Sequence, residues 1–340
     1  MPYLDHLPAP VARLIQTRYI AEFATVSRAG DPIDSVLVPF ASEDLETIDS
    51  ATGLAYPIKA ERLRRNPKAG MLFEGGADQP VALISGFGAV RDTDFQGNLE
   101  RYLSEQILTS MLDPAVTGYE TVTRQAIWYF TRIVMCVKPA VVRWWDSAAA
   151  LDGPPHAWRA AEGTVWPQSD PAPPGSPGKA AWSNPPPWRE TAEAALARKA
   201  AAHLTLIDAE GFPLPLRARE IHADSEGFRL VMPAWLPWSS GRASVSFEGI
   251  ETFIGEAEIA GNEVLFRSER ALPLHPLMTS PGEILRPRPK TQAALMARIE
   301  HELARRSLTL PRMPDHPPKP TAGARTRADA AFAFPGFADG

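Results

Sequence analysis

The chain has 340 residues, of which 44% are hydrophobic and 22% are charged. This is ordinary globular composition, with room for two domains of common size. Its 40 acidic and 35 basic side chains give a formal net charge of -5. That charge argues against a nucleic-acid partner, because nucleic-acid-binding proteins need a basic face.

Membrane and secreted proteins are disfavoured as well. No segment approaches the roughly 18 consecutive apolar residues that span a bilayer, and the N-terminal residues lack the basic and apolar regions of a secretory signal. Cys136 is the single cysteine, so no disulfide forms within the chain, which fits a reducing compartment. We expect a soluble, cytoplasmic protein without a membrane partner.

Predicted strands dominate the first part of the chain. Two apolar runs flank the turn at residues 30–32, Gly-Asp-Pro, and predict a hairpin. Three further apolar runs predict strands over residues 68–75, 80–92 and 131–146. These strands predict a mainly β domain.

A predicted helix interrupts these strands. It covers residues 94–112, where apolar side chains recur on one face at Leu99, Leu103, Ile107 and Leu108. The chain therefore runs from strands through a helix back to a strand.

A second, short and basic helix is predicted inside the stretch DSATGLAYPIKAERLRRNPKAGMLFEG, residues 49–75. It runs from about Ile58 to Arg65, because Asn66 precedes Pro67 and a residue before proline is pushed out of the helical region. The helix therefore ends immediately before the next predicted strand.

The side chains of this basic helix are predicted to have different roles. Lys59, Arg62 and Leu63 share one side, so Leu63 anchors the helix to the barrel and the two cations lie along the rim of that contact. Arg64 and Arg65 are predicted to face solvent. A lysine beside a Thr-Gly turn is suited to hold a phosphate, and a solvated charged face is the alternative.

Proline-rich stretches divide the chain. Prolines crowd residues 153–188 and the tail after residue 310, where neither a helix nor a sheet ladder is sustained. We predict four parts, which are a barrel over residues 1–150, a linker over 151–190, a second barrel-like domain with a C-terminal helix over 191–310, and a disordered tail over 311–340.

The second half repeats the pattern of the first in degenerate form. HLTLIDAEGFPLPLRAREI parallels EFATVSRAGDPIDSVLVPF, GRASVSFEG parallels PKAGMLFEG, and ETFIGEAEIAGNEVLF parallels PVALISGFGAVRD. Three matches in the same order predict an internal repeat. The basic helix has no counterpart, since PAWLPWSSGRAS stands in its place.

The hairpin, the strand DSVLVPF, the segment ATGLAYPIKAERLRRNPKAGMLFEG and the strand PVALISGFGAVRD together resemble the FMN-binding split-barrel family related to pyridoxamine 5'-phosphate oxidase. The resemblance covers residues 18–146 and, more weakly, 199–278. It implies a mainly β fold, a split barrel with flanking helices followed by a second, degenerate split-barrel-like repeat. It also implies FMN as cofactor and an oxidoreductase that acts on a small-molecule substrate.

The resemblance implies the contacts of the flavin phosphate. Lys59 matches the lysine that contacts the phosphate, and Ser50 and Thr52 lie in the turn that offers hydroxyl groups. We add Arg62 from the helix geometry rather than from the family.

The resemblance also implies where the isoalloxazine ring lies. Ser35, Val36 and Leu37 match the strand along the ring, whose backbone would form hydrogen bonds with the ring edge. Asp34 departs from the family, which has a basic phosphate contact near this position. Either the phosphate lies nearer Lys59, or FMN is not the ligand.

Two classes of function stay open. An FMN-dependent oxidoreductase needs no side-chain acid or base, because the flavin supplies the redox chemistry. The alternative is a non-catalytic carrier or sensor that holds a flavin, a deazaflavin or haem. No histidine occurs between His6 and His156, which disfavours haem in the first barrel. A deazaflavin shares a ring and a phosphate with FMN, so the sequence does not separate the two.

Metal binding and chain pairing complete the sequence predictions. The seven histidines show no metal-ligand spacing, so no metal site is predicted. Because split barrels of this family bind flavin where two barrels meet, the resemblance implies either a pseudo-dimer within one chain or a homodimer. No segment matches the substrate-binding Arg and His of the true pyridoxamine phosphate oxidases.

Overall fold

The computed structural model describes residues 3–105, 126–178, 187–273, 289–316 and 318–332. Ile107 and Leu108 of the first predicted helix lie outside these residues. The described helices are α1 (Ala9–Thr17), α2 (Ile58–Arg65), α3 (Phe95–Glu105), α4 (Ile127–Phe130), α5 (Trp188–Ala197), α6 (Pro289–Arg306) and α7 (Ala322–Phe332).

The strands fall into two groups along the chain. The first group is β1 (Ala21–Val26), β2 (Pro32–Ile33), β3 (Val36–Leu37), β4 (Phe40–Ala41), β5 (Ile48–Gly53), β6 (Lys68–Glu74), β7 (Val81–Arg91), β8 (Arg132–Trp145) and β9 (His156–Arg159). The second group is β10 (Ala202–Ile207), β11 (Pro213–Arg217), β12 (Glu220–Ala223), β13 (Gly227–Val231), β14 (Gly241–Phe247), β15 (Glu251–Ala260) and β16 (Glu263–Ala271).

Each group forms one antiparallel sheet, and the two sheets have the same topology. The first has the order β2-β1-β6-β7-β8-β5-β4, with β3 paired to β1 and β9 paired to β8. The second has the order β11-β10-β14-β15-β16-β13-β12. Replacing each strand of the first order by its counterpart along the chain reproduces the second. The predicted mainly β fold with a second, degenerate barrel-like repeat is confirmed.

The central strands of the first sheet are buried on both faces, which explains their nearly continuous apolar sequence. On β6, Met71 and Phe73 belong to the core of the first sheet, whereas Leu72 between them belongs to the core of the second. Trp144 and Trp145 divide between the two cores in the same way. The two repeats of the chain therefore pack directly against each other.

The two repeats approach each other closely at Gly70 of β6. A Cβ atom at this position would lie 1.7 Å from the carbonyl oxygen of Pro213, in β11 of the second repeat. Only a residue without a side chain lets the two backbones approach this closely. Gly70 therefore sets how tightly the repeats meet.

The second repeat has no counterpart of α2. Its equivalent connection, between β13 and β14, is an irregular segment over residues 232–240. In this segment Trp238 is buried, and its indole N–H donates to the carbonyl of Leu214. An aromatic side chain thus fills this part of the second repeat.

The C-terminal helix α6 packs on the first repeat, although the sequence assigns it to the second domain. Its apolar face, Leu295, Ile299 and Leu303, lies in the core of the first sheet. The spacing of these residues shows that the helix is amphipathic but not which core receives it.

The Pro-rich linker and the tail contain ordered elements. Strand β9, inside the predicted linker, pairs with β8. Helix α7, inside the segment predicted to be a disordered tail, contacts α1 and α3. Its Arg327 is buried and forms an ion pair with Glu105 of α3.

Candidate functional site

Helix α2 forms at the predicted position and with the predicted anchor. It runs over Ile58–Arg65, and Asn66 after it is extended, with φ -128° and ψ 105°, as a residue before proline prefers. Leu63 is fully buried in the core of the first sheet. Leu63 thereby fixes the helix on the barrel, with Lys59 and Arg62 along one edge of the helix.

The prediction that Arg64 faces solvent is wrong. Its guanidinium is largely buried and lies 2.8 Å from the carboxylate of Asp92, which also pairs at 2.9 Å with Arg306 of α6. Arg65 is exposed. The helical spacing shows which side chains share a face, but the partner of Arg64 follows β7, and a distant helix shares that partner.

Lys59 lies half-buried among other charges. Burial and the nearby Arg62 lower the pKa of Lys59 to about 8, against the opposing effect of Asp34, and Arg132 lowers it further. No hydrogen bond or ion pair within 4 Å holds the Lys59 amine among the described residues. Lys59, Arg62 and Arg132 therefore lie near one another, and the nearby carboxylates offset their positive charge only in part.

Arg132, which the sequence does not single out, carries buried hydrogen-bond donors that lack acceptors among the described residues. Its side chain is buried against Tyr102 and Tyr129, with the guanidinium carbon 3.9 Å from the Tyr129 ring centre. Its Nε and Nη2 have no hydrogen-bond partner within the described part of the chain. Buried donors of this kind are costly unless an acceptor satisfies them.

The register of the sheet explains how Arg132 reaches this position. It opens β8 directly opposite Gly53, the last residue of the turn strand β5. A Cβ atom at Gly53 would lie 3.7 Å from Arg132 Nη1. An arginine opening an apolar strand is the only sequence signal, and it does not reveal the strand opposite.

The two hydroxyl residues predicted for the phosphate are differently placed. Ser50 is fully buried opposite Met135, and its hydroxyl has no partner among the described residues. Thr52 donates its hydroxyl to the carbonyl of Tyr56, 3.3 Å away. Both residues lie in strand β5, and the turn before α2 follows at residues 54–55, so the prediction that they lie in that turn is wrong.

The strand predicted to lie along the flavin ring is largely engaged. The backbone N–H and C=O of Ser35 both pair with Phe23. A Cβ atom at Gly249 of the second repeat would lie 2.7 Å from the backbone nitrogen of Val36, and Leu37 is buried in the first core. The second repeat therefore covers this strand.

Next to the cations lies a buried cluster that the sequence did not reveal. Glu22 and Asp34 of the first repeat and His203 of the second are all buried, and one ligand atom from each lies within 4.8 Å of the others. Glu74 of β6 accepts from the other side of the imidazole, with 3.0 Å between His203 Nε2 and Glu74 Oε2. Glu22 and His203 are polar residues within apolar strands and Asp34 lies between β2 and β3, but the proximity of the three side chains requires both repeats.

The carboxyl groups of this cluster have strongly altered acidity. Burial and the neighbouring Asp34 raise the pKa of Glu22 well above its usual value, and burial also raises the pKa of Asp34. Burial would raise the pKa of Glu74, but the hydrogen bond from His203 outweighs burial and holds that pKa below its usual value. The raised pKa values of Glu22 and Asp34 mean that either a proton or a cation would offset the cost of burying these carboxyl groups.

A separate cleft of about 290 Å³ lies between the linker and the two repeats. Its lining includes Phe87, Trp166 and Phe212, and none of the residues predicted to bind FMN. The cations here, Lys68 and Arg159, both contact Glu210. Partnered cations make this cleft a weaker candidate for a phosphate than the surroundings of Lys59.

None of the helices in the described ranges combines the length and the apolar character of a membrane span.

Comparison with known proteins yields matches among solved structures alone. No protein-family profile matches the chain, and no curated protein sequence matches it significantly. Similar structures include a pyridoxamine 5'-phosphate oxidase-related, FMN-binding protein from Nostoc punctiforme, with 15% identity, a TM-score of 0.30, and coverage of 42% of this chain and 83% of that one.

Two further structures are similar to the same extent. General stress protein 26 from Bacillus anthracis shows 16% identity and a TM-score of 0.31, over 44% of this chain and 95% of its own. An F420 reductase shows 14% identity and a TM-score of 0.31, over 42% of this chain and 100% of its own. These are proteins of the kind that the sequence resembles. Their identities and TM-scores are too low to assign a ligand to this chain.

Proposed function

We propose that this chain is a cytoplasmic FMN-binding oxidoreductase of the pyridoxamine 5'-phosphate oxidase type, which acts on a small-molecule substrate. Lys59, Arg62 and Arg132 bind the flavin phosphate. The observation that carries the proposal is the set of buried guanidinium donors on Arg132, which lack acceptors among the described residues, beside a half-buried lysine without a close partner there.

A phosphate fits this group of cations chemically. It offers three strong acceptor oxygens and close to two negative charges, which match the unmet donors of Arg132 and the ammonium group of Lys59. Arg62 adds charge while its Nε donates to Thr25, which holds the side chain at the edge of β1. Thr52 lies near the end of β5, before α2, and adds a hydroxyl group.

The bound flavin would supply the redox chemistry, and the chain would supply orientation and a shaped site. Ser35 and Val36 are half-buried and the second repeat covers part of their strand, so the ring is expected at the edge of the contact between the two repeats. We propose that the pair of repeats within one chain serves as the pseudo-dimer that forms the site. Ser50 and Leu37 are buried in the first barrel, so they would support the flavin site from within the barrel.

Comparing FMN with riboflavin tests the phosphate assignment directly, because riboflavin lacks the phosphate. We expect Lys59→Ala to weaken FMN binding by about 1.5 to 3 kcal/mol, which is about 10-fold to 150-fold in Kd, by removing one charge-assisted hydrogen bond. Riboflavin binding should change little. Titration followed by flavin fluorescence gives both dissociation constants.

Arg65→Ala is the matched control, because it removes one positive charge from an exposed position of the same helix. It should leave the affinity for FMN within about twofold of the original. Equal losses for FMN and riboflavin in folded Lys59→Ala would contradict the phosphate assignment. A protein that binds a phosphorylated deazaflavin but not FMN would keep the site and change the cofactor.

Turnover separates an enzyme from a carrier. The flavin-loaded protein should oxidise a reduced nicotinamide in steady state when an electron acceptor is supplied. A loaded protein that is reduced once and does not turn over with a range of acceptors would be a carrier or sensor instead.

A further inference from the structure

We propose that Glu22, Asp34 and His203 bind one divalent transition-metal ion where the two repeats meet. Glu22 and Asp34 come from the first repeat and His203 from β10 of the second, and each side chain is buried. The proposal is independent of flavin binding, since it rests on other side chains. It differs from the sequence prediction, which finds no metal site.

The spacing of the ligand atoms supports an ion rather than a direct hydrogen bond. Nδ1 of His203 lies 3.2 Å from Oε1 of Glu22. This nitrogen nevertheless makes no hydrogen bond with acceptable geometry to any described residue. Two atoms bound about 2.1 Å from one metal ion lie about 3.0 to 3.4 Å apart at octahedral or tetrahedral angles. The observed separation lies within that range.

Unpartnered oxygen atoms point to the same position. Glu22 and Asp34 are only 6% and 1% exposed. Glu22 Oε2 and Asp34 Oδ2 are buried and accept no hydrogen bond within the described ranges. Buried carboxylates are usually paired or coordinate a metal, because an unpaired buried charge is costly. Among the described residues, Glu22 pairs with the imidazole of His203.

Glu74 prepares His203 as a ligand. It lies 3.0 Å from His203 Nε2, so the proton of a neutral imidazole is held on Nε2 and the lone pair of Nδ1 is directed towards the two carboxylates. Histidine ligands of metal ions commonly donate their other N–H to a carboxylate in this way. Glu74 is therefore a positioning residue.

The ligand set selects the class of ion. One imidazole nitrogen and two carboxylates suit Zn²⁺, Mn²⁺ or Fe²⁺, whereas Mg²⁺ and Ca²⁺ prefer oxygen ligands alone. Three protein ligands leave at least one coordination position for water or another group. Such an ion would join β1 of the first repeat to β10 of the second.

The rival explanation is a proton. A protonated His203 between Glu22 and Glu74 would balance the same charges without a metal ion. The two explanations differ in metal content, because only the first requires stoichiometric binding to the unmodified protein.

Equilibrium dialysis of the chelator-treated, unmodified protein against Zn²⁺ is the deciding measurement. Elemental analysis should give one tightly bound Zn²⁺ per chain at low micromolar free metal, and X-ray absorption should show nitrogen and oxygen ligands without sulfur. A zinc content below one tenth per chain under these conditions would overturn the proposal. Because the measurement uses the unmodified protein, it does not depend on the folding of a variant.

Variants then assign the ion to this cluster. Asp34→Asn and His203→Ala should each lose stoichiometric zinc, and Glu74→Gln should weaken zinc binding by about 10-fold to 100-fold. His222→Ala is the matched control, because His222 is an exposed histidine beside Glu220. Zinc retained in folded Asp34→Asn and His203→Ala would place the ion elsewhere and overturn the assignment.

The flavin readout separates this proposal from the proposed function. Lys59→Ala should retain zinc while losing FMN affinity. A protein that binds FMN but no zinc refutes the metal site alone, and one that binds zinc but no FMN refutes the flavin site alone.

Discussion

The two repeats have the same strand order but differ in one connection, which lies between β5 and β6 in the first repeat and between β13 and β14 in the second. In the first repeat, α2 lies between β5 and β6 and brings Lys59 and Arg62 beside Arg132. In the second, the irregular segment over residues 232–240 takes the same position and buries Trp238. One topology thus presents cations where a short helix is inserted and an apolar surface where it is not.

The repeats also differ in what holds them from outside. Helix α6 packs on the first repeat, and its Arg306 reaches Asp92, which also pairs with Arg64 of α2. The second repeat is packed against α5, which contacts β15 and β16. The cationic helix is therefore held by a second set of ion pairs that has no equivalent in the irregular segment.

Removing the anchor of α2 should cost the most stability. In Arg306→Met, Asp92 and Glu302 lose buried contacts of 2.9 Å and 2.6 Å, and we expect unfolding free energy to fall by about 3 to 5 kcal/mol. The loss should lie near the lower end, because Asp92 keeps Arg64. Urea unfolding followed by tryptophan fluorescence measures it.

An exposed ion pair provides the control for Arg306. In Arg267→Met the pair with Glu226 is lost, but both side chains are more than half exposed, so the expected change is about 0 to 1 kcal/mol. Equal effects of the two substitutions would show that the buried network does not anchor α2.

Separating the repeats should have the next largest effect. Gly70→Ala places a methyl group where the carbonyl oxygen of Pro213 lies, so the two backbones must move apart, and we expect a loss of about 1 to 3 kcal/mol in unfolding free energy. Affinity for FMN should fall as well, since the ring is proposed to lie between the repeats.

Gly76→Ala is the control for Gly70, because a Cβ atom there meets nothing closer than 3.9 Å. Thermal unfolding and FMN titration of both variants give the comparison. Unchanged stability in Gly70→Ala would mean that the repeats do not depend on this close approach.

The pH dependence of FMN binding should show the smallest effect. Lys59 binds the phosphate in its charged form, and its pKa is lowered to about 8 in the free protein. As the pH rises above that value, Lys59 loses its proton in the free protein. FMN binding must then return the proton to the amine, which lowers the affinity. Relative to pH 7, affinity should therefore be about twofold lower at pH 8 and about tenfold lower at pH 9.

Lys59→Arg tests the origin of this pH dependence, because arginine stays protonated throughout the range. FMN titrations between pH 7 and 9.5 should give a flat profile for the variant. The same decline in both proteins would assign the titration to a group other than Lys59.

Local sequence chemistry was enough to predict several elements of the fold. The end of α2 at Asn66-Pro67 follows from the steric effect of proline, and the anchoring of Leu63 follows from helical spacing. The order of apolar runs and turns was sufficient to predict two repeats with the same pattern of strands.

Which of these elements come into contact depends on long-range packing. Arg132 faces Gly53 through the register of β5 and β8, and Glu22 meets His203 because the second repeat packs on the first. Nothing local encodes such contacts, since they depend on sheet register and on packing between residues far apart in the chain. The burial of charges beside apolar strands, and the resulting change in their pKa values, arises only once both repeats are in place.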